Sequence, residues 1–332
     1  FFRMKTTDFK DLGKVNQILP IMLEHFGKSM NLARIKFMAF MLHALCVVQT
    51  VSLHKLAAAM PTSVESDSYL RRIQRFIAMY ALNFDLVAQM IYSLLPVKTG
   101  LVLSMDRTNW KFGDFNINIL MLGVAYKGIA FPLMFSLLPK KGNSNWKERK
   151  ASVEDLSDFL PECIDSLVAD REFVGNDWIG WLNRNHIRYY IRIRQNFWLV
   201  KPSTGERIRA WWLFNSLKVG QERFYYKLFL HKGEYVYLAG SRIKNSDGVP
   251  ELQILICFNR PEKGVDTYKR RWEIETAFRA MKSSGFNIED THLRDTERIA
   301  RLLAMVCIAL VWAYLVGEHN DENVMPIKTL IL

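Results

Sequence analysis

The sequence predicts a mixed α/β core of about 200 residues that follows an all-helical region and contains an inserted run of short strands. Apolar residues recur every three or four positions between about residues 12 and 95, which is the period of a helix. At Gly100 the pattern changes to apolar runs of strand length. Half of the 332 residues are hydrophobic. The chain can therefore bury a core of this size, and a disordered or low-complexity polymer is excluded.

The charge balance favours a polyanionic partner. Lys and Arg number 45 against 33 Asp and Glu, a formal net charge of +12. Nucleic acid and anionic membranes are the usual partners of such a surplus. Residues 302–317 are uncharged over 16 positions, but a membrane-spanning helix needs about 20. This segment and the shorter apolar run at 36–50 are therefore predicted to be buried core helices, and no membrane partner is expected.

The cysteines are predicted to be small buried thiols in a reducing compartment, and not the ligands of a zinc finger. The four cysteines are far apart, without a CxxC pair, and each lies among apolar residues: Cys46, Cys163, Cys257 and Cys307. No basic-then-apolar leader follows Phe1, so no export signal is expected, and the predicted location is the cytoplasm.

The helical region contains a candidate helix–turn–helix. Residues 52–60 and 66–76 have helical patterns, the break 61–65 lies between them, and Ser66 or Ser68 is the expected cap of the second helix. Three arginines of this second helix are expected to face outward, where they could meet the phosphates of DNA: Arg71, Arg72 and Arg75. The alternative is the solvated face of an ordinary helical bundle.

The core is predicted to begin with three strands. The first, 101–106, is an apolar run that ends in Asp106, and the other two meet in a hairpin at Lys127 and Gly128. The next elements are predicted as helix 140–160, strand 166–170, helix 176–185, strand 187–200 with Arg192 and Arg194, and a small β region at about 201–250 in which 211–214 is a strand.

A buried strand at 251–259 and a long helix from Val265 to Ser284, ended by Gly285, are predicted to complete the core. At 100° per residue, four side chains of this helix fall within an arc of about 60°. They are Tyr268, Arg271, Glu275 and Lys282. An adjoining apolar stripe would face the core. The structural alternative is a surface helix on which Arg271 and Glu275 form an ordinary i,i+4 pair.

Two carboxylates, Asp106 and Asp170, each end an apolar strand, where side chains can converge on a ligand from a rigid frame. Asp also commonly begins a turn, so these two positions alone are a weak signal. With Glu275 as a third acid and cations on the same helix, the set suits phosphodiester chemistry. Carboxylates can hold two divalent metal ions there, and the cations can hold flanking phosphates.

The chain resembles the DDE transposases of bacterial insertion sequences. The spacing of Tyr268, Arg271, Glu275 and Lys282 reproduces the Y-R-E-K signature of the cut-and-paste branch, which carries a β-strand insertion in an RNase H-like core. Three further segments resemble motifs of that family in the correct order: SMDRTNW at 104–110, KKGNSNWKERK at 140–150 and VADREF at 168–173. The resemblance covers about residues 100–317.

The resemblance implies a DNA transposase that binds terminal inverted repeats, hydrolyses DNA strands, forms a hairpin and transfers the ends into target DNA within a synaptic homodimer. Asp106, Asp170 and Glu275 would bind two Mg²⁺ ions, with Mn²⁺ as a substitute. Phosphate contacts would come from Arg271 and Lys282, with Tyr268 beside them, and a further DNA contact from Arg192. The expected setting is the bacterial nucleoid.

The resulting organisation is a helical DNA-binding region at 1–98, an RNase H-like core at 99–200 and 251–332, and a β insertion at 201–250. Two other functions are weighed. A domesticated relative that only binds DNA would lose its acids by drift, and all three are present. A structure-specific RNase H-like nuclease without strand transfer would not need the Y-R-E-K helix or the insertion.

One position departs from the family. Hairpin-forming relatives stack a flipped base on a tryptophan at the start of the strand before the Y-R-E-K helix, where this chain has Leu252 and Gln253. Another aromatic side chain of the insertion could take that place, because stacking tolerates different bases. The candidates are Trp211, Trp212, Tyr225, Tyr226, Tyr235 and Tyr237. The alternative is that these rings fill the insertion's own core.

Overall fold

The computed structural model describes residues 13–60, 65–157, 163–245, 247–283 and 285–324. The N-terminal region is helical, as the 3.6-residue period predicts. Its helices are α1 (Gly13–Phe26), α2 (Leu32–Val48), α3 (Leu53–Ala58), α4 (Ser66–Met79) and α5 (Phe84–Leu94). α3 and α4 are the two predicted helices of the candidate helix–turn–helix, and residues 61–64 of the break between them lie outside the described residues.

The predicted cap of α4 is wrong. Ser66 and Ser68 lie inside the first turn, and Glu65 occupies the cap position without a side-chain hydrogen bond to the helix. By contrast, α2 and α5 begin with asparagine caps: Asn31 accepts from the backbone N–H of Arg34, and Asn83 accepts from two backbone N–H groups. Such caps satisfy donors that the first helical turn leaves without a partner.

The first half of the core is the predicted mixed α/β unit. Its elements are β1 (Leu101–Phe112), β2 (Phe115–Tyr126), β3 (Ile129–Leu137), α6 (Trp146–Ser157), β4 (Ile164–Ala169), α7 (Asn176–Arg184) and β5 (Tyr189–Ile193). The strand order is β3-β2-β1-β4-β5, with β1, β4 and β5 parallel and β2 antiparallel to its neighbours. Lys127 and Gly128 form the predicted hairpin turn with φ of 42° and 94°, the left-handed conformation that a two-residue hairpin requires.

The inserted strands extend this sheet. They are β6 (Trp198–Val200), β7 (Arg207–Arg209), β8 (Glu222–His231) and β9 (Glu234–Lys244), with helix α8 (Ala210–Phe214) between β7 and β8, and the core strand β10 (Pro250–Cys257) joins them to β5. β10 pairs with β5, and the order continues as β10-β9-β8-β6-β7. Core and insertion therefore share a single ten-stranded sheet within the described residues.

Two predictions for residues 187–214 are wrong. The strand predicted at 187–200 is two strands, because a turn closed by the hydrogen bond from Phe197 N–H to the carbonyl of Arg194 separates β5 from β6. Residues 211–214 are helical, and Phe214 is fully buried. The ring of Phe214 fits against the backbone of Gly240, where a Cβ atom would lie 2.5 Å from the ring. This long-range contact overrides the strand pattern of the segment.

The predicted helix from Val265 to Ser284 is broken into α9 (Gly264–Lys269) and α10 (Trp272–Met281). The turn falls at Arg270 and Arg271, and the Arg270 guanidinium donates to the carbonyl of Ala125 in β2. Lys282 leaves the helix at φ −92° and ψ −110°, and Ser284 lies outside the described residues. α10 packs on β1 and β3.

The last helix, α11 (Thr296–Asn323), is the buried core helix that the sequence predicts. It packs against α2, α4, α5 and β3. It is long and apolar enough to cross a membrane, yet 72% of its most apolar stretch is buried inside the fold. The free thiols of Cys46, Cys257 and Cys307 are buried in the core, and that of Cys163 is partly exposed.

Candidate active site

The register of the sheet places Asp106 and Asp170 side by side. β1 and β4 are neighbouring parallel strands, and Met105 is paired with Ala169. The next residue on each strand is therefore one of the two acids, at the same level of the sheet. The side chain of Asp106 is 16% exposed. The apolar patterns that end in a carboxylate are the sequence signal for both positions. The strand end predicted at Asp170 is present, whereas the one predicted at Asp106 is wrong, because β1 continues to Phe112 through its pairing with β2.

Glu275 joins these acids through a buried cation. Nη1 of Arg271 lies 2.6 Å from Oε1 of Glu275 and 3.7 Å from Oδ2 of Asp106. Arg271 is only 5% exposed. Asp170 forms no ion pair with the described residues. Burial lowers the pKa of Arg271, but the neighbouring Tyr268, Glu275 and Asp170 together outweigh it and raise that pKa. The structure thus places Asp106 and Glu275 on one guanidinium, with Asp170 at the end of the strand next to Asp106.

Burial raises the pKa of Asp106 to about 7. The backbone N–H of Arg107, which donates a 2.7 Å hydrogen bond to Oδ1, and the charge of Arg271 oppose this rise. The negative charges of Glu172 and Glu275 add to it. A carboxylate that is this costly to ionise without a further cation is typical of functional sites.

The carboxylate oxygens of the three acids are chemically suited to bind a hard divalent cation. Carboxylate oxygens are the ligands that Mg²⁺ prefers in proteins, and those of Asp106 and Glu275 face the same buried positive charge. Among the described residues, however, no three His, Cys, Asp or Glu side chains are close enough to hold a metal ion as a group. Arg271 supplies the positive charge at this place in the structure.

Tyr268 lies in the core beside this cluster. It is 2% exposed, and the guanidinium carbon of Arg271 lies 5.7 Å from the centre of its ring. Burial raises the pKa of its hydroxyl. The hydroxyl oxygen has no hydrogen-bond partner among the described residues. In this structure Tyr268 therefore contacts Arg271 and is not open to solvent.

Lys282 and Arg192 are each held by a carboxylate. Nζ of Lys282 lies 2.9 Å from Glu289 and donates to the carbonyl of Asn109 at 3.2 Å. Arg192 forms an ion pair with Glu251 at the start of β10. Arg271 and Glu275 lie one turn apart at the start of α10. Lys282 follows the end of that helix with non-helical backbone angles and so leaves the continuous stripe that the sequence predicts.

The N-terminal arginines divide into two kinds. Arg71 and Arg75 are exposed on α4, one turn apart, as predicted. Arg72 faces outward only in part. Arg72 is half-buried, with its guanidinium 5.0 Å from the ring centre of Phe37 and 5.3 Å from that of Tyr69.

Comparison with known proteins identifies the family. Residues 140–312, more than half of the chain, match the model of the transposase DDE domain. The chain belongs to this family. No curated protein matches. Among solved structures, the chain is similar to a piggyBac transposase, in the cryo-EM structure of its synaptic complex with hairpin DNA. The identity is 14% and the TM-score is 0.48 over 95% of this chain and 74% of the other.

The protein is thus a DDE transposase, in an enzyme class that cleaves and transfers DNA. Its sequence motifs form a network around the acids that residue spacing does not reveal. Arg107, which follows Asp106, pairs with Glu172 at 3.2 Å and donates to Asn118 at 2.9 Å. It also donates to Asn143 in the loop before α6. The segments around 106, 143 and 172 are therefore fastened to one another.

Arg149 completes this network in the transposase. It is 4% exposed and donates to the hydroxyl of Ser144 at 2.9 Å and to the carbonyl of Glu172 at 3.1 Å. Its guanidinium lies 4.9 Å from the ring centre of Phe173. Arg107, Arg149 and Glu172 lie within the family-like motifs, but residue spacing assigns them no role. Their pairing depends on the fold that brings three distant segments together.

The departure at the tryptophan position also has a structural outcome. Leu252 and Gln253 are 6% and 7% exposed inside β10, so neither offers a surface to a base. Of the six candidate rings, those exposed to solvent are Trp211, Trp212, Tyr226 and Tyr235. The exposed ring that lines a cleft next to Asp170 is a different one, Trp198 of β6. Trp198 lies near the end of the strand predicted at 187–200, and nothing in the surrounding sequence marks it as a functional residue.

Proposed function

We propose that this transposase belongs to the Y-R-E-K branch of bacterial insertion sequences and cuts DNA at the ends of its own element. It binds terminal inverted repeats, hydrolyses the strand that frees each 3′ hydroxyl, forms a hairpin and joins the ends to target DNA. The single observation that carries the proposal is the meeting of Asp106 and Glu275 at the buried guanidinium of Arg271, with Asp170 at the end of the strand paired with that of Asp106.

The three carboxylates are the proposed catalytic residues, and they would hold Mg²⁺, or Mn²⁺ in its place. When bound, two such ions supply the charge that activates an attacking oxygen and stabilises a leaving oxygen. The protein's part is to fix the acids on rigid elements. Asp106 lies midway along β1, at the level where the paired strand β4 ends and Asp170 follows, and Glu275 lies on a helix packed against β1.

The remaining proposed roles concern DNA. Arg271 and Lys282 contact phosphates near the scissile bond, with Tyr268 supporting Arg271, and Arg192 contacts the DNA once it exchanges Glu251 for a phosphate. Arg71, Arg72 and Arg75 on α4 contact the inverted repeat, Arg72 from its place beside the ring of Phe37. The active form is a homodimer that holds two ends together, and it acts at the nucleoid in the bacterial cytoplasm.

The test is strand cleavage on DNA that carries the sequences flanking the reading frame. With Mg²⁺ present, the protein should cut at fixed positions and leave 3′ hydroxyls. Asp106→Asn, Asp170→Asn and Glu275→Gln should each lower the cleavage rate at least about a thousandfold, because loss of a metal ligand costs several kcal/mol of transition-state stabilisation. DNA binding, which rests on many phosphate contacts, should persist.

The matched control is Asp114→Asn, an exposed carboxylate in the turn between β1 and β2. It should cleave at the normal rate. Normal cleavage by any of the three site variants would contradict the assignment of the triad. Cleavage without joining to a target would support a nuclease instead, and binding without cleavage by the unaltered protein would support a relative that only occupies DNA.

A further inference from the structure

A cleft of about 980 Å³ opens beside Asp170, between the end of β4 and the β6–β7 hairpin of the insertion. Its walls include Gly175 on the core side and Trp198 and Arg209 on the insertion side. This volume is at the upper end of the range for ligand clefts, about 300–1,000 Å³. The cleft is continuous with the candidate active site, because Asp170 is part of its wall.

The cleft is strongly basic. Five of its lining residues are cations: Arg171, Arg194, Arg207, Arg209 and Lys232. None of the five forms an ion pair with a carboxylate in the part of the chain that the structure describes. The cleft's second acid, Glu172, is already paired with Arg107. Like charges gathered in a concave surface repel one another and raise the local concentration of an anionic ligand.

The geometry at Trp198 indicates which part of a nucleic acid the cleft contacts. The guanidinium carbons of Arg209 and Arg207 lie 3.7 Å and 4.8 Å from the ring centre of Trp198. Arg209 is paired with Trp198 across the β6–β7 hairpin and donates to the carbonyl of Asn196. The ring therefore serves as a platform that orients two guanidinium groups, and guanidinium forks match the geometry of phosphate.

We infer that this cleft binds the sugar–phosphate backbone of the DNA strand that leads to the scissile bond, with Arg207 and Arg209 as its phosphate contacts and Trp198 as their support. The inference rests on the proposed catalytic role of Asp170, which fixes where the strand goes. A DNA strand is the ligand because the cations are uncompensated and the chain belongs to a family that acts on DNA. Such contacts are independent of base sequence.

The experiment measures the affinity of the full chain for a short DNA duplex of arbitrary sequence, by fluorescence anisotropy, between about 50 and 200 mM salt. The variant is the double substitution Arg207→Ala/Arg209→Ala. Each lost phosphate contact lowers the slope of log affinity against log salt by about 0.9, so the double variant should lose about 2 from the slope. The matched control is Lys218→Ala/Lys244→Ala. Both lysines are exposed cations of the insertion outside the cleft.

An equal loss of slope in both double variants would overturn the inference, since it would show only a general effect of charge. No loss in either would overturn it as well. Trp198→Leu distinguishes support from stacking: it should weaken binding less than the double arginine variant does, and a larger loss would show that the cleft contacts bases instead of phosphates. Unchanged melting temperatures establish that the variants are folded.

The affinity readout separates this inference from the proposed function. If the triad variants cleave normally but the arginine variant loses its salt slope, the cleft binds DNA and the catalytic assignment fails. If the triad variants are inactive and the arginine variant matches the lysine control, the catalytic assignment stands and the cleft inference fails.

Discussion

The Nη1 atom of Arg271 lies 2.6 Å from Oε1 of Glu275, one helical turn away, and the arginine is 5% exposed. An exposed i,i+4 pair contributes only about 0.2–0.5 kcal/mol. This pair is different, because the same guanidinium also lies 3.7 Å from Asp106 and Nε of Arg271 has no hydrogen-bond partner among the described residues. Arg271 therefore neutralises a carboxylate cluster in the absence of any other cation.

The first prediction follows from that relationship. Arg271→Ala leaves the carboxylates of Asp106 and Glu275 without their cation and should destabilise the metal-free protein by about 3–5 kcal/mol. Mg²⁺ should then raise the melting temperature of the variant more than that of the unaltered protein, since the ion supplies the missing charge. Thermal unfolding with EDTA and with Mg²⁺ measures both effects. An equal Mg²⁺ effect on both proteins would contradict the prediction, and Arg271→Lys, which keeps the charge, is the control.

The positions of the acids could be predicted from the sequence, whereas the path of the Y-R-E-K helix could not. The apolar run that ends at Asp170 predicts the end of β4, whereas β1 continues past Asp106 to Phe112, and the parallel pairing of the two strands makes the acids neighbours. The turn at Arg270 is stabilised by its bond to the carbonyl of Ala125, 145 residues away in the chain. A helical period computed from local spacing carries no information about such a contact.

The basic cleft could not be predicted from the sequence. Trp198 has no neighbour in sequence that marks it, and Arg207 and Arg209 reach its ring only because β6 and β7 form a hairpin. Among the aromatic rings that could contact DNA, the sequence instead points to Trp211 and Trp212. Their segment, 211–214, has a strand pattern, but in the structure the two rings form the exposed side of α8. Local pattern predicts element type well where one face is buried. It fails where a short segment is fixed by a single distant contact, here that of Phe214 with Gly240.

The second prediction concerns Lys282. Lys282→Ala should weaken complexes with cleaved element ends about 10- to 100-fold and affect binding to uncut DNA less, because charge-assisted contacts of about 1.5–3 kcal/mol matter most at the cut phosphate. Gel-shift titrations with both substrates measure the two losses. The control is Glu289→Gln, which removes the partner of Lys282 at 2.9 Å and should not weaken either complex. An equal loss on both substrates would make Lys282 a general affinity residue.

The third prediction concerns acid stability. Burial lowers the pKa of His43 in α2, and its Nδ1 atom has no hydrogen-bond partner among the described residues. The folded state disfavours protonation of this histidine. Its contribution to the free energy of unfolding is therefore complete above the unfolded pKa of about 6.5 and is lost as the pH falls below that value. His43→Leu cannot be protonated there. As the pH falls from 7 to 5, the melting temperature of the variant minus that of the unaltered protein should therefore increase. A difference that does not depend on pH would contradict the prediction.

The fourth prediction assigns Arg149 the role of a positioning residue. Arg149→Met removes the buried bonds to Ser144 and to the carbonyl of Glu172, two residues beyond Asp170, and leaves these acceptors without a partner. The expected loss is about 1–3 kcal/mol of unfolding free energy. The cleavage rate should fall more than DNA affinity does, because Asp170 is displaced while the phosphate contacts remain. Chemical denaturation, single-turnover cleavage and anisotropy measure the three quantities.

The control, Lys150→Met, removes only an i,i+4 pair with Glu154 and should cost under about 0.5 kcal/mol of unfolding free energy. Parallel losses of affinity and rate in Arg149→Met would show a general folding defect instead of misplacement of Asp170.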